Sequence, residues 1–139
     1  MQFNELTSGT KAFINFSEEL LEKEIPLLLP KQDIVVEILE RIEVTDKVIA
    51  LCKKLKQQEY ILALDDFVFH EYSLPLIAIA DIIKIEFPLI SYQGQYQLLQ
   101  RYKGKIKFLA EKIETREAYE AALNMGYDYF QGYFFRVKT

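Results

Sequence analysis

Val35-Val36-Glu37-Ile38-Leu39-Glu40 is the stretch whose reading decides the fold. Val35, Val36, Ile38 and Leu39 are apolar on both parities, so neither side of the segment is free to face water. A strand buried on both faces belongs to a parallel sheet covered by helices. Glu37 interrupts the run and Glu40 ends it. Polar groups ending buried strands are costly unless a ligand or metal satisfies them. In a parallel α/β barrel the reacting groups collect at one such rim.

Five other short apolar runs repeat the pattern, each delivering a carboxylate, amide or ammonium group. They are Ala12-Phe13-Ile14-Asn15-Phe16, Leu62-Ala63-Leu64-Asp65-Asp66-Phe67, Ile82-Ile83-Lys84-Ile85-Glu86, Leu109-Ala110-Glu111-Lys112-Ile113-Glu114 and Tyr129-Phe130-Gln131-Gly132-Tyr133. Helical signals fill the gaps. Ser17 caps a short helix to Glu24, and Glu18 and Glu19 suit its dipole. Pro26 and Pro30 break any longer helix around Leu27-Leu28-Leu29. Thr45 or Asp46 caps a helix whose apolar stripe is Val48, Ile49, Cys52 and Leu55. Leu74 to Ala80 and Tyr92 to Tyr102 read as helices, the second weakened by Gly94. Thr115 opens a last helix, with Ala118, Tyr119, Ala122 and Leu123 as its buried stripe, and Gly126 ends it in a left-handed conformation. Tyr129 to Phe135 complete the series. The fold class is therefore α/β, a partial TIM-type (β/α) barrel with about six parallel βα units of an eight-unit barrel. A closed barrel typically takes about 250 residues, with about 200 near the minimum, so this chain does not close one alone.

With 139 residues, half of them apolar, the chain reads as one domain, 1–139, with a real core. Its 17 basic residues are dispersed and its net charge is −4, so no basic face for a nucleic-acid polymer emerges. Cys52 is the only cysteine, which excludes an internal disulfide framework and fits a reducing cytoplasm. No run approaches the roughly 20 apolar residues that span a bilayer.

Asp65-Asp66 beside Phe67, then Ala110-Glu111-Lys112-Ile113-Glu114-Thr115, then Phe130-Gln131-Gly132-Tyr133 occur in the order and register of the EAL domain. The chain resembles that family, bacterial cyclic-di-GMP phosphodiesterases and their inactive relatives, from about Lys11 to Phe135. The resemblance implies metal ligation by Asn15, Glu37, Asp65 and Asp66, with Glu40 bracing the loop after the Asp pair. It places Lys84 near the attacking water and phosphate, gives Glu111 a part in activating water, and has Gln131 orient the site. The residue types suit that chemistry: Mg²⁺ and Mn²⁺ prefer oxygen ligands, and an ammonium offsets charge on phosphoryl oxygens.

The match has gaps. The family's Glu-Ala-Leu segment, with a metal-ligand glutamate and a nearby arginine, would lie before this chain begins; Glu120-Ala121-Ala122-Leu123 falls mid-helix and is no substitute. Val68-Phe69-His70-Glu71-Tyr72-Ser73 stands where active members carry a glycine-rich loop, and Lys112 replaces the glycine of Ala-Glu-Gly. These departures resemble a subgroup in which an EAL-like domain precedes an HDOD domain.

Plainer readings stand beside these. Asp65-Asp66 also reads as a strand end with a helix cap. Glu37 also reads as an exposed strand residue, Lys84 as one turned away from the rim, and Gln131 as a buried amide bonded to backbone. His70 reads as a surface histidine, Cys52 as a small core residue, and the aromatic residues of 127–135 as packing. The leading expectation is a truncated, degenerate EAL-like domain of cyclic-di-GMP signalling, catalytically impaired, with a regulatory or interaction role and an incomplete Mg or Mn site. The alternatives are an active cyclic-di-GMP phosphodiesterase completed by another segment or chain, and a structural dimerisation unit. Expected partners are cyclic-di-GMP, a second copy or partner protein at open sheet edges, and a downstream HDOD domain. No membrane association is expected.

Overall fold

The computed structural model describes residues 2–5, 10–39, 42–65 and 74–131. They form two compact units, one ending at Asp81 and the other beginning at Ile82.

In the first unit, β1 (Gln2–Glu5) runs antiparallel to β2 (Thr10–Asn15). β2 then pairs in parallel with β3 (Ile34–Leu39), and β3 with β4 (Ile61–Asp65). The hairpin strand β1 is additional to the expected series. Its sequence, Gln2-Phe3-Asn4-Glu5, offers a single apolar residue and hence no periodic signal. β3 buries Ile34, Val35, Val36, Glu37 and Ile38 in succession. Each buried aliphatic contributes about 1.5–3 kcal/mol, and together they offset the cost of carrying a carboxylate inward.

The crossovers follow their caps. Ser17 Oγ accepts from Leu20 N at 3.2 Å and opens α1 (Glu18–Glu22). A 3₁₀ turn, Ile25–Leu28, follows with Pro26 in its first turn. Thr45, not Asp46, caps α2 (Asp46–Gln57), accepting from Val48 N at 3.2 Å. The buried stripe of α2 is Val48, Leu51, Cys52 and Leu55, the i, i+3, i+4, i+7 set; Ile49 lies at its edge, half-buried. Burial pushes the Cys52 thiol up from 9.0 to about 12. The start of β4 is fixed by Asp81. Its carboxylate accepts from Leu62 N at 2.9 Å and from Lys56 Nζ at 2.6 Å, while Asp81 N donates to Leu62 O at 2.9 Å. α3 is only one turn, Leu74–Ile77. It stops short of the expected Ala80 and ends in a turn in which Ile79 N and Ala80 N both donate to Leu76 O.

The second unit carries β5 (Ile82–Glu86), β6 (Lys107–Glu111) and β7 (Tyr129–Phe130), paired in parallel in that order. A 3₁₀ turn, Phe87–Leu89, precedes α4 (Tyr92–Tyr102). Ser91 Oγ caps α4 by accepting from Gly94 N at 3.1 Å. A Cβ at position 94 would sit 3.1 Å from that same Oγ, so glycine lets the cap close. Gln95 is fully buried; its Nε2 donates to Phe87 O at 2.9 Å and Ile90 O at 2.8 Å, and its Oε1 accepts from Tyr127 Oη at 2.6 Å.

Thr115 caps α5 (Arg116–Met125), and Gly126 ends it at φ +105°. Ala122 and Met125 are buried, Ala118 and Tyr119 half-buried, and Leu123 is 50% exposed. The stripe thus follows 118, 122, 125, and Leu123 falls about 100° off it. Tyr119 packs edge-on against Phe130, centroids 5.0 Å apart, and Phe87 against Tyr127 at 6.0 Å, so these rings serve packing. Among the described residues no helix is long and apolar enough to cross a membrane.

Candidate functional site

Parallel register decides which side chains share a face, because neighbours across strands point the same way and alternate along each strand. In the first unit Asn15 pairs with Glu37, and Glu37 with Ala63. Asp65 lies two residues beyond Ala63. Asn15, Glu37 and Asp65 therefore rise from one face of three consecutive strands, with strands spaced about 4.8 Å apart. Glu37 is 2% exposed and Asp65 8%, whereas Asn15 is exposed. An exposed reading of Glu37 is thereby excluded. Asp66, Glu40, His70 and the whole segment 68–73 lie outside the described residues.

The donor set Asn15, Glu37 and Asp65 is entirely oxygen, the chemistry that hard divalent cations take. Among the described residues no three His, Cys, Asp or Glu side chains group closely enough to hold a metal ion.

In the second unit Lys84 pairs with Leu109, Glu86 with Glu111, and Leu109 with Tyr129. Lys84, Glu86 and Glu111 share a face. Gln131, two residues past Tyr129, continues that alternation; its N donates to Ala110 O at 2.9 Å and its O accepts from Ile113 N at 3.0 Å. Lys84 is fully buried, its Nζ 3.6 Å from Glu111 Oε2, with side-chain exposures of 1% and 13%. An ammonium this far from water persists beside a partner charge. Lys84 and Glu111 are thus brought together.

Glu86 was not singled out by the sequence, although it lies two residues beyond Lys84 on the same face. It accepts a hydrogen bond from Lys112 Nζ. A cavity of about 360 Å³ opens beside this end of the unit, walled by Phe87, Tyr92, Lys112 and Thr115 among others.

The EAL domain family profile matches residues 2–137. A Bacillus subtilis protein named YuxH is 41% identical over 137 residues, covering 94% of this chain and 33% of that protein. The cyclic di-GMP phosphodiesterase CdgJ of Vibrio cholerae is 36% identical over 138 residues, covering 95% of this chain and 31% of the relative. The chain thus spans about a third of the length of these curated relatives. The structure of the Bacillus subtilis YkuI protein, with an EAL domain, in complex with substrate c-di-GMP and calcium, superposes with a TM-score of 0.72. It is 25% identical, covering 90% of this chain and 36% of that one. The βα succession expected from the sequence is the fold these proteins share.

Proposed function

This chain belongs to the EAL domain family, and on that premise we propose that it is a cyclic-di-GMP signalling domain that binds the dinucleotide together with a divalent cation and hydrolyses it weakly or not at all on its own. The observation that carries this reading is the shared face of Asn15, Glu37 and Asp65 at consecutive parallel strands. Those residues, with Asp66, would hold Mg²⁺ or Mn²⁺. Such a cation supplies positive charge to phosphate oxygens and makes a bound water more acidic.

The chain's own groups supply the rest. Lys84, buried against Glu111, sets one fixed positive charge among carboxylates, where a phosphodiester's oxygens would meet it. In this reading Glu111 would accept a proton from water and Gln131 would orient that water. Weak hydrolysis follows from two departures: Val68 to Ser73 replace a glycine-rich loop, and Lys112 stands beside Glu111. Groups acting as a unit lose activity non-additively.

Titration calorimetry with c-di-GMP, with and without Mn²⁺, tests the reading. Mn²⁺ should tighten binding to the wild-type chain, and Glu37→Ala or Asp65→Ala should remove that dependence. Unaltered Mn²⁺ dependence in both variants would overturn the ligand assignment. Chromatography of the mixtures tests the second reading, an active phosphodiesterase, which the relative CdgJ favours by its name. Rapid appearance of the linear dinucleotide would establish it.

A further inference from the structure

β6 is entered through a basic stretch. Arg101, Lys103, Lys105 and Lys107 fall within seven residues, and no acid occurs from Phe87 to Ala110. In a chain of net charge −4 this is a local reversal of sign. Lys103, Lys105 and Lys107 line a cavity of about 300 Å³ at the first residues of β6, the end of that strand away from Glu111. The floor of the cavity is apolar, formed by the buried residues Leu99, Ile106, Phe108 and Met125. Tyr96, whose ring is half exposed, lines it from α4, together with Gln100 and, from α5, Asn124.

One carboxylate lines the cavity, that of Asp128, and it is engaged. Its Oδ2 accepts from Phe108 N at 2.9 Å, and its Oδ1 lies 3.9 Å from Lys107 Nζ. The ammonium groups of Lys103 and Lys105 have no partner among the described residues. Lysines after a helix also answer its dipole, but the carbonyls that meet here are satisfied. Tyr102 O accepts from Lys105 N and Ile106 N, and Ala122 O from Tyr127 N. The cavity thus keeps net positive charge above an apolar floor. Ligand pockets begin near this volume, about 300 Å³, and combine an apolar lining with a few orienting polar groups.

We propose that this cavity binds a small aromatic anion of the nucleoside monophosphate class. The base lies on the apolar floor beside Tyr96, and its edge meets the amides of Gln100 and Asn124, each of which offers donors and an acceptor. The phosphate sits at Lys103 and Lys105, where hydrogen bonds to a charged group are the strong ones. A cyclic dinucleotide, with two bases and two phosphates, is too large for the space. The site is separate from the reading above and uses none of its residues.

The test follows the backbone amide signals of Gly104 and Gly126, both in the cavity wall, by nitrogen–proton correlation NMR of the full chain at low salt without divalent cations. AMP, adenosine and inorganic phosphate are the probes. AMP should shift both signals saturably, with a Kd of about 1 mM or tighter, and adenosine and phosphate should each bind more weakly. Lys103→Gln with Lys105→Gln should weaken AMP about fivefold, the scale of two solvent-exposed charges. Asn124→Trp, which plugs the cavity from an exposed position, should abolish the shifts; the lysine pair keeps the comparison readable even where the tryptophan folds poorly. Asp65→Ala should leave the AMP shifts intact, and they should persist even in a chain that fails to bind c-di-GMP. No saturable shift with AMP would overturn the proposal, as would wild-type affinity in either cavity variant or phosphate alone matching AMP. Loss of the shifts in Asp65→Ala would place AMP in the first unit and overturn it equally.

Discussion

Replacing Lys84 by Met removes the ammonium but keeps the volume of a buried side chain. At 3.6 Å and an effective dielectric near 20, the Lys84–Glu111 attraction is about 5 kcal/mol. Desolvating each ion costs several kcal/mol, so the pair's net contribution is small. Breaking it is another matter. Lys84→Met leaves the Glu111 carboxylate, 13% exposed, without its principal counter-charge, and such losses cost about 3–5 kcal/mol. That is a large part of a domain stability of about 5–15 kcal/mol. Lys84→Met with Glu111→Leu removes both charges and should return to within about 1 kcal/mol of wild type. Urea denaturation followed by circular dichroism, read as a double-mutant cycle, measures the coupling. We expect a coupling energy of several kcal/mol, with the double variant folded yet unable to bind c-di-GMP. Additive effects, or a Lys84→Met variant as stable as wild type, would refute the pairing.

Further outcomes are expected at Cys52 and around Gln95. The Cys52 thiol, held near 12 by burial, should resist Ellman's reagent at pH 8 in the native chain and react within minutes once unfolded. Because its folded value lies above the unfolded 9.0, the stability it confers is complete below pH 9 and lost as pH rises toward about 12, measurable by denaturation across that window. Gln95→Leu should destabilise by roughly 3–5 kcal/mol, since it strips the buried partners of Phe87 O, Ile90 O and the Tyr127 hydroxyl. Tyr127→Phe, which breaks one of those bonds, should cost roughly 1–2 kcal/mol in the same melt; equal losses in the two variants would contradict the network.

Much of the architecture was legible because its signals are local. β3 announced itself through unbroken apolar residues, and Ser17, Thr45, Thr115 and Gly126 marked helix ends by side-chain chemistry alone. Three features escaped. β1 escaped because Gln2–Glu5 acquires its strand character from pairing with β2, a partner rather than a pattern. Ile49 and Leu123 were placed on buried stripes, and Leu51 was passed over, because a residue one step from the stripe sits about 100° around the helix, and composition does not say which edge the sheet covers. Glu86 was quoted only as a run's last residue; its importance emerges from facing Glu111, a register that no single segment contains. Of the candidate site, the common face of Asn15, Glu37 and Asp65 could be anticipated from strand-end placement, whereas the Lys84–Glu111 contact required the pairing itself.

Alternation along β3 carries an evolutionary consequence. Glu37 faces the same way as Asn15 because the two are direct partners in the parallel ladder. Inserting or deleting one residue upstream within this strand would swing the carboxylate to the opposite side and bring an aliphatic into its place. Descendants of this chain are thus free to lose the chemistry by point replacement, and to regain it the same way, while changes of length inside the strand are closed to them.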